Sequence, residues 1–318
     1  MARQVLICGG AGFLGSHIAR RFVAAGDRVT VVDGLVLGTG GSLDHLSDIR
    51  PAIELLIAPI ESVDDLRVQV GSADLIVDAM AWTRHLAALH DPRQDMRLNL
   101  APHLTLIEAL RGQGPRLVIY LGSRSQYGRM AARVVTEDEP MTPQDPQGVH
   151  KVAAESHFRN YAALDGYHVV SLRLPNCFGE CQPVSGEDIG LVGGFIRTLC
   201  QDGTVTVYGE GRRRAMLYAR DAAEIVALVA DRSVTGFTPL NVAGRDIDIR
   251  DLAMRLQTLV GAGAIKEEDV MPAEIAAIDP GDQTIDDSRL RALVGQPPQS
   301  DLNEALQRTV GYFTERFA

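Results

Sequence analysis

The chain has 318 residues, of which 46% are hydrophobic and 23% charged, and its formal net charge is −10 at pH 7. That is ordinary globular composition, long enough for one large domain or two smaller ones. The acidic balance argues against nonspecific nucleic-acid binding, and no apolar run approaches the length of a membrane span. The four cysteines, Cys8, Cys177, Cys181 and Cys200, form no metal-ligand array. They read as free cytosolic thiols, with a Cys177–Cys181 redox pair as the alternative.

The chain starts directly in the apolar run Val5-Leu6-Ile7-Cys8, with no signal-peptide pattern. Gly9-Gly10-Ala11-Gly12-Phe13-Leu14-Gly15 follows and opens into a helical stretch over 16–23. Strand, glycine turn and helix, with Gly10, Gly12 and Gly15 spaced G-x-G-x-x-G, form a dinucleotide fingerprint. The first two glycines let the backbone turn and approach a pyrophosphate, and the third lets helix and strand pack closely. The helix N-terminus then offers free N–H groups to the phosphates. A second strand over 28–32 ends in Asp33, eighteen residues beyond Gly15, where a carboxylate bonds the adenosine ribose hydroxyls. A carboxylate there repels a ribose 2′-phosphate, so NAD(H) is expected over NADP(H).

A Gly- and Leu-rich connection over 34–56 is expected to hold a short helix at 42–46. A third strand (54–57), a helix (64–70) and a fourth strand (75–77) come next. The stretch 95–111 predicts one long amphipathic helix, because Leu98, Leu104, Leu106, Ile107 and Leu110 recur near helical spacing. A fifth strand (116–121), a proline-punctuated loop (136–146), a helix (147–164) and a sixth strand (168–174) follow. Beyond them come helices at 189–200 and 221–230, short strands at 205–208 and 240–242, and helices at 249–260, 288–294 and 302–317. Alternating strands and helices predict an α/β chain with a Rossmann-type doubly wound parallel sheet. The expected division is a dinucleotide-binding domain over 1–175, including helix 147–164, and a smaller substrate-binding α/β region over 176–318. Some of the second region should cross back to the sheet. Ligands bind beyond the carboxyl ends of such strands.

These features resemble the extended short-chain dehydrogenase/reductase family, in particular its NAD-dependent nucleotide-sugar epimerases, dehydratases and decarboxylases. The resemblance runs nearly end to end. Gly9-x-x-Gly12-x-x-Gly15 has the family form, with Phe13 and Leu14 inside the cofactor turn. Leu75-Ile-Val-Asp-Ala-Met-Ala81 resembles the fourth strand and its turn, which implies cofactor contacts at Ala79 and Ala81. Asp91-Pro92 and Asn99 match further landmarks, Asn99 also being implied as a cofactor residue. Leu121-Gly-Ser-Arg-Ser-Gln-Tyr-Gly128 resembles the segment with the active-site Ser or Thr, here Ser123. Arg173-Leu-Pro-Asn176-Cys-Phe-Gly179 is similar to the segment whose Asn contacts the substrate diphosphate. Tyr208-Gly-Glu-Gly211, Arg214 and Asp221 resemble the segment whose Arg binds it; the spacing is one residue short, so Arg213 is a rival. Arg84 and His85 fall in the loop that reaches over the substrate in the family.

The active site departs from the family pattern, which needs Tyr-x-x-x-Lys on one helix face. There the Lys binds the nicotinamide ribose and lowers the Tyr pKa. In Gln147-Gly148-Val149-His150-Lys151 the Tyr position is Gln147, and no Tyr lies four residues before either of the two lysines, Lys151 and Lys266. A glutamine amide hydrogen-bonds well but exchanges no proton near neutral pH. Lys151 with a lowered pKa, Ser123 or water remain as proton carriers. His150 points about 100° from Lys151 and reads as a helix-surface residue. Cys177 reads as packing and Tyr127 as structural. The adenine-binding Asp after the third strand is missing from Ile57-Ala58-Pro59, Ala101-Pro102 replaces Gly-Thr, and Arg124-Ser125 lack the acidic pair of the 4,6-dehydratases. The resemblance implies NAD-dependent modification of a nucleotide-diphosphate sugar, with Ser123, Gln147 and Lys151 at the catalytic centre and no metal. It also implies a cytoplasmic homodimer through helices 95–111 and 147–164, without nucleic-acid or membrane partners. The alternative is a catalytically impaired subunit that still binds NAD or nucleotide sugar.

Overall fold

The computed structural model describes residues 2–130, 134–186 and 189–317. Five short runs rich in Val, Ile and Leu form strands β1 (Gln4–Cys8), β2 (Arg28–Asp33), β3 (Ile53–Ile57), β4 (Leu75–Asp78) and β5 (Leu117–Ser123). With His168–Leu174 and Phe237–Asn241 they make a seven-stranded sheet, ordered Phe237–Asn241, His168–Leu174, β5, β4, β1, β2, β3. Every neighbouring pair is parallel. The chain runs outward from β1 to β3, then returns to lay β4 on the other side of β1. The carboxyl ends of β1 and β4 therefore border the crevice where such sheets bind ligands.

Both faces are covered, as a parallel sheet requires. On one face, Ile18, Ala19 and Phe22 of α1 (Phe13–Ala24) pack with Ile225, Val226 and Val229 of helix Ala219–Ala230. On the other, Leu106, Ile107 and Leu110 pack with Phe158 and Ala162. Fully burying such a side chain contributes roughly 1.5–3 kcal/mol, so these faces fix where each helix lies. Helix Pro146–Asp165 is defined at both ends. Asp145 caps it by accepting from the Gly148 N–H at 2.6 Å, Pro146 supplies a preset φ, and Gly166 closes it at φ +76°.

The single helix expected over 95–111 is in fact two, Pro92–Asn99 and Ala101–Leu110, broken at Leu100 with φ −133°. Pro102 has no N–H to give to the carbonyl four residues back. The leucine spacing runs straight through the break because side-chain periodicity does not register a missing backbone donor. The strand expected at 240–242 is longer, Phe237–Asn241, and forms the edge of the main sheet, where Pro239 is tolerated. A three-stranded sheet of Arg245–Asp248, Arg213–Tyr218 and Asn176–Phe178 was not expected. It packs over a separate core containing Ile196, Leu252, Leu256, Leu306 and Phe313. No described helix is long and apolar enough to cross a membrane.

Candidate active site

The glycine turn carries the first half of the site. Gly9 sits at φ +79°, and a Cβ there would lie 2.9 Å from the Ala79 backbone. A Cβ at Gly15 would lie 2.1 Å from the Gly9 carbonyl oxygen, so that helix-to-strand contact admits only glycine. Gly12, the N-cap of α1, makes no side-chain cap bond, and the first turn holds no acidic residue. The leading N–H groups of α1 are therefore left without a side-chain acceptor, and Gly12, Phe13 and Leu14 line a cleft of about 340 Å³. Uncapped amides facing open space suit a pyrophosphate, so the residues present fit a dinucleotide. Asp33, with Gly12, Ala79, Ala81, Pro59 and Glu61, lines an adjoining cavity of about 110 Å³. Its carboxylate accepts from the Ala11 N–H at 2.9 Å and the Leu35 N–H at 2.8 Å. Burial nevertheless outweighs these bonds and lifts its pKa above the usual carboxylate value.

The same cleft reaches Ala79, Ala81, Ser123, Gln147, Lys151 and Asn176. The Lys151 Nζ donates to the carbonyls of Leu121 at 3.1 Å and Met80 at 3.3 Å. Burial pulls the ammonium down to about 8, only partly opposed by Asp78 and Asp95. The buried Gln147 Nε2 donates to the Trp82 carbonyl at 2.8 Å. The Ser123 Oγ accepts from the Ser125 N–H at 3.1 Å and lies 2.9 Å from the Ser125 Oγ, which donates to it.

A second cavity of about 400 Å³ opens beyond Ser123 and is lined by Arg124, Asp145, Asn176, Arg214 and Asp279, among others. Arg214 enters it paired with Asp279 and, at 3.2 Å, with Asp282. Arg213 points elsewhere, to Asp246 at 2.6 Å on the surface, so of the two rivals Arg214 is the one that lines this cavity. Arg124, expected only as a departure from the dehydratase acidic pair, also lines this cavity. Its Nη2 donates to Asn176 Oδ1 at 3.5 Å while its Nε is buried without a partner. Burial, then the charge of Arg214, bring it down to about 10 against the pull of Asp279. Its adjacency to Ser123 was the available signal.

Some expected site residues lie elsewhere. Asn99 lines none of these cavities; it is buried, accepts from the Trp82 N–H at 2.7 Å, and donates to the Trp82 carbonyl at 2.8 Å and to Asp95. It braces the loop after β4 because an amide can serve both polar groups of one peptide residue. The Arg84 guanidinium lies between Gly38 and Gly186, outside the walls of both larger cavities. His85 lines both. His150 faces Asp95 at 3.4 Å rather than the cleft. Burial pushes the Cys177 thiol up to about 12, so it stays protonated. The Tyr127 hydroxyl is taken by Asn241 at 2.7 Å and Arg173 at 2.6 Å, a structural role. Among the described residues, Glu61, in the short turn after β3, is the one carboxylate besides Asp33 lining the smaller cavity.

The family model described as "NAD dependent epimerase/dehydratase family" matches residues 5–243. The chain is 28% identical to the UDP-glucose 4-epimerase of Mycolicibacterium smegmatis, over 98% of this chain and 99% of that one. It is 25% identical to the UDP-N-acetyl-alpha-D-glucosaminuronate decarboxylase of Bacillus cytotoxicus, over 99% of each. Among solved structures, it is similar in fold to the UDP-N-acetylglucosamine 4-epimerase from Methanobrevibacter ruminantium M1 in complex with UDP-N-acetylmuramic acid. The TM-score is 0.88 at 22% identity, covering 99% of both chains.

Proposed function

The chain belongs to the NAD dependent epimerase/dehydratase family, and on that premise we propose that it modifies the sugar of a nucleotide-diphosphate sugar through transient oxidation of a sugar hydroxyl. One observation carries the reading: a single cleft is lined by the uncapped turn at Gly12–Leu14 and by Ser123, Lys151 and Asn176. NAD, when bound, supplies a reversible hydride acceptor. The N–H groups opening α1 hold its pyrophosphate, Asp33 its adenosine ribose and Lys151 its nicotinamide ribose. Ser123 orients the sugar hydroxyl. Asn176 and Arg214 hold the substrate diphosphate, Arg214 exchanging part of its bonding to Asp279 for phosphate oxygen. Gln147 holds the wall of the site and moves no proton.

The test begins with a mass spectrum of small molecules released from the purified protein. A panel of UDP-, GDP-, dTDP- and CDP-sugars follows, read by NADH absorbance and product mass. Turnover on one narrow class is expected, and turnover that survives Lys151→Ala refutes the centre. A second reading, a binding subunit without chemistry, is favoured by the commitment of the Gln147 amide to Trp82; ligand binding with no turnover on the panel would select it. We further propose a homodimer through helices Pro92–Asn99, Ala101–Leu110 and Pro146–Asp165, which expose Met96, Val149 and Leu164. Light scattering that gives a monomer at micromolar concentration refutes that.

A further inference from the structure

We propose that Arg124 binds a carboxylate on the sugar itself, so that the substrate is a nucleotide-diphosphate sugar acid. This inference rests on the nucleotide-sugar reading above and narrows it. A guanidinium carries five N–H donors and keeps its charge at neutral pH. Among the described residues, Arg124 commits one of them, from Nη2 to Asn176 Oδ1 at 3.5 Å, the outer edge of a hydrogen bond, and its buried Nε has no partner. Of the acids lining the same cavity, Asp279 is engaged by Arg212 and Arg214, and Asp145 by the Gly148 N–H and His85. A charge withdrawn from water without a counterion is costly. Burial, then the repulsion of Arg214, accordingly pull this guanidinium down to about 10. An anionic group on the ligand supplies the missing counterion.

Its place in the chain assigns that anion to the sugar rather than to the diphosphate. Ser123 lines both the cofactor cleft and the substrate cavity, and Arg124, the next residue, lines the substrate cavity alone. Arg124 therefore stands one residue beyond the group that orients the reacting hydroxyl, beside the substituents of the same ring. The diphosphate has its own cation in Arg214, which is bonded to Asp279, Asp282 and the carbonyls of Arg213 and Gly281. A carboxylate accepts two parallel N–H bonds from a guanidinium fork; a hydroxymethyl group in its place leaves the charge unpaired. The turn that carries Arg124 is fixed without ligand. The Gln126 Oε1 accepts from the Ser123 N–H at 2.8 Å, and its Nε2 donates to the buried Glu155 at 2.7 Å. The bond from Arg124 to Asn176 Oδ1 leaves the Asn176 NH2 for a phosphate oxygen, so the two subsites share one wall.

The test is calorimetry on the NAD-loaded protein and needs no turnover. UDP, GDP, dTDP and CDP are titrated first, and the tightest sets the base. The glucose and glucuronate derivatives of that base, and the glucuronate methyl ester, are then compared. Wild type should bind the glucuronate derivative at least about tenfold more tightly than the other two, the scale of one charge-assisted hydrogen bond. Arg124→Met should abolish that preference while leaving the glucose derivative and the free nucleoside diphosphate within about twofold. Its melting temperature should not fall, because the side chain it removes has no counterion. Arg124→Lys keeps the charge without the fork and should retain only part of the preference. Equal wild-type affinity for glucose and glucuronate derivatives overturns the proposal, whether or not the variants fold. So does a preference that survives Arg124→Met. Equal losses in Arg124→Met for the sugar acid, the neutral sugar and the free diphosphate also overturn it and move Arg124 to the diphosphate. Binding of no nucleoside diphosphate and no nucleotide sugar sinks the nucleotide-sugar reading itself.

Discussion

Replacing Lys151 with Met should stabilise the protein near pH 7 while removing its grip on the cofactor. The folded protein releases the Lys151 proton at about 8, against an ordinary 10.5, chiefly because of burial. The gap corresponds to about 3 kcal/mol. The sign follows from proton counts. Between those two values the unfolded chain binds more protons than the folded one, so stability rises with pH across the window. Below pH 8 the buried charge opposes folding at full strength; above about 10.5 it does not oppose it at all. Methionine has similar reach and no charge. It loses the bonds to Leu121 and Met80, at about 1 kcal/mol each. The variant should therefore be more stable than wild type by about 1 kcal/mol at pH 7, and less stable by about 2 kcal/mol above pH 10.5. Urea unfolding of both proteins without NAD at pH 7, 9 and 10 reads the difference, in which all other titrating groups cancel. Parallel pH dependences would refute the assignment of a depressed, buried ammonium. Calorimetry on the same samples should show weaker NAD binding.

Three further outcomes are expected. Arg214→Ala removes a charge-assisted phosphate contact of roughly 1.5–3 kcal/mol, so nucleotide-sugar affinity should fall at least about tenfold with NAD affinity nearly unchanged; equal losses for both ligands in calorimetry would point to misfolding instead. Calorimetric titration should give tighter binding of NAD(H) than NADP(H), because Asp33 lines the cavity at the end of β2; the reverse order would remove Asp33 from the ribose. Gln147→Tyr breaks the bond to the Trp82 carbonyl and puts a ring into the cleft wall, so steady-state turnover on the native substrate should drop; a gain would mean that the amide positions nothing.

Six of the seven strands of the main sheet were legible because each is a short, largely apolar run, and His168–Leu174 matches its expected bounds; Phe237–Asn241, which carries Thr238 and Pro239, was legible only at its end. The small sheet was not, since Asn176–Phe178 is only three residues long and Arg213–Tyr218 opens on two arginines. In the site, legibility followed spacing. Gly9, Gly12 and Gly15 sit at fixed local spacing in one turn and Lys151 at a fixed place on one helix, which a linear pattern can encode, although Gly9 and Lys151 meet partners far away in sequence. Asn99 matched its landmark, yet its amide is spent on Trp82, a contact the fold decides. The His85–Asp145 pair joins positions 60 residues apart, so no local pattern could announce it. The Asp145 cap was readable before Pro146; its second bond was not.

Gln147 and Asn99 together brace one peptide residue of the loop after β4. The Trp82 carbonyl accepts from both amides, at 2.8 Å each. Asn99 also accepts from the Trp82 N–H, so this one peptide residue is clamped from two helices. Trp82 lies three residues before His85, and helix His85–His90 begins directly beyond it. A clamp there limits how far the imidazole can move from the helix end that carries Asp145. A tyrosine hydroxyl at position 147 would have to choose between accepting a substrate proton and donating to this carbonyl. Glutamine cannot do the first, and here it does the second. The Gln147 side chain thereby anchors the segment that leads to His85, which lines both larger cavities. Position 147 is part of what holds the loop after β4 in place.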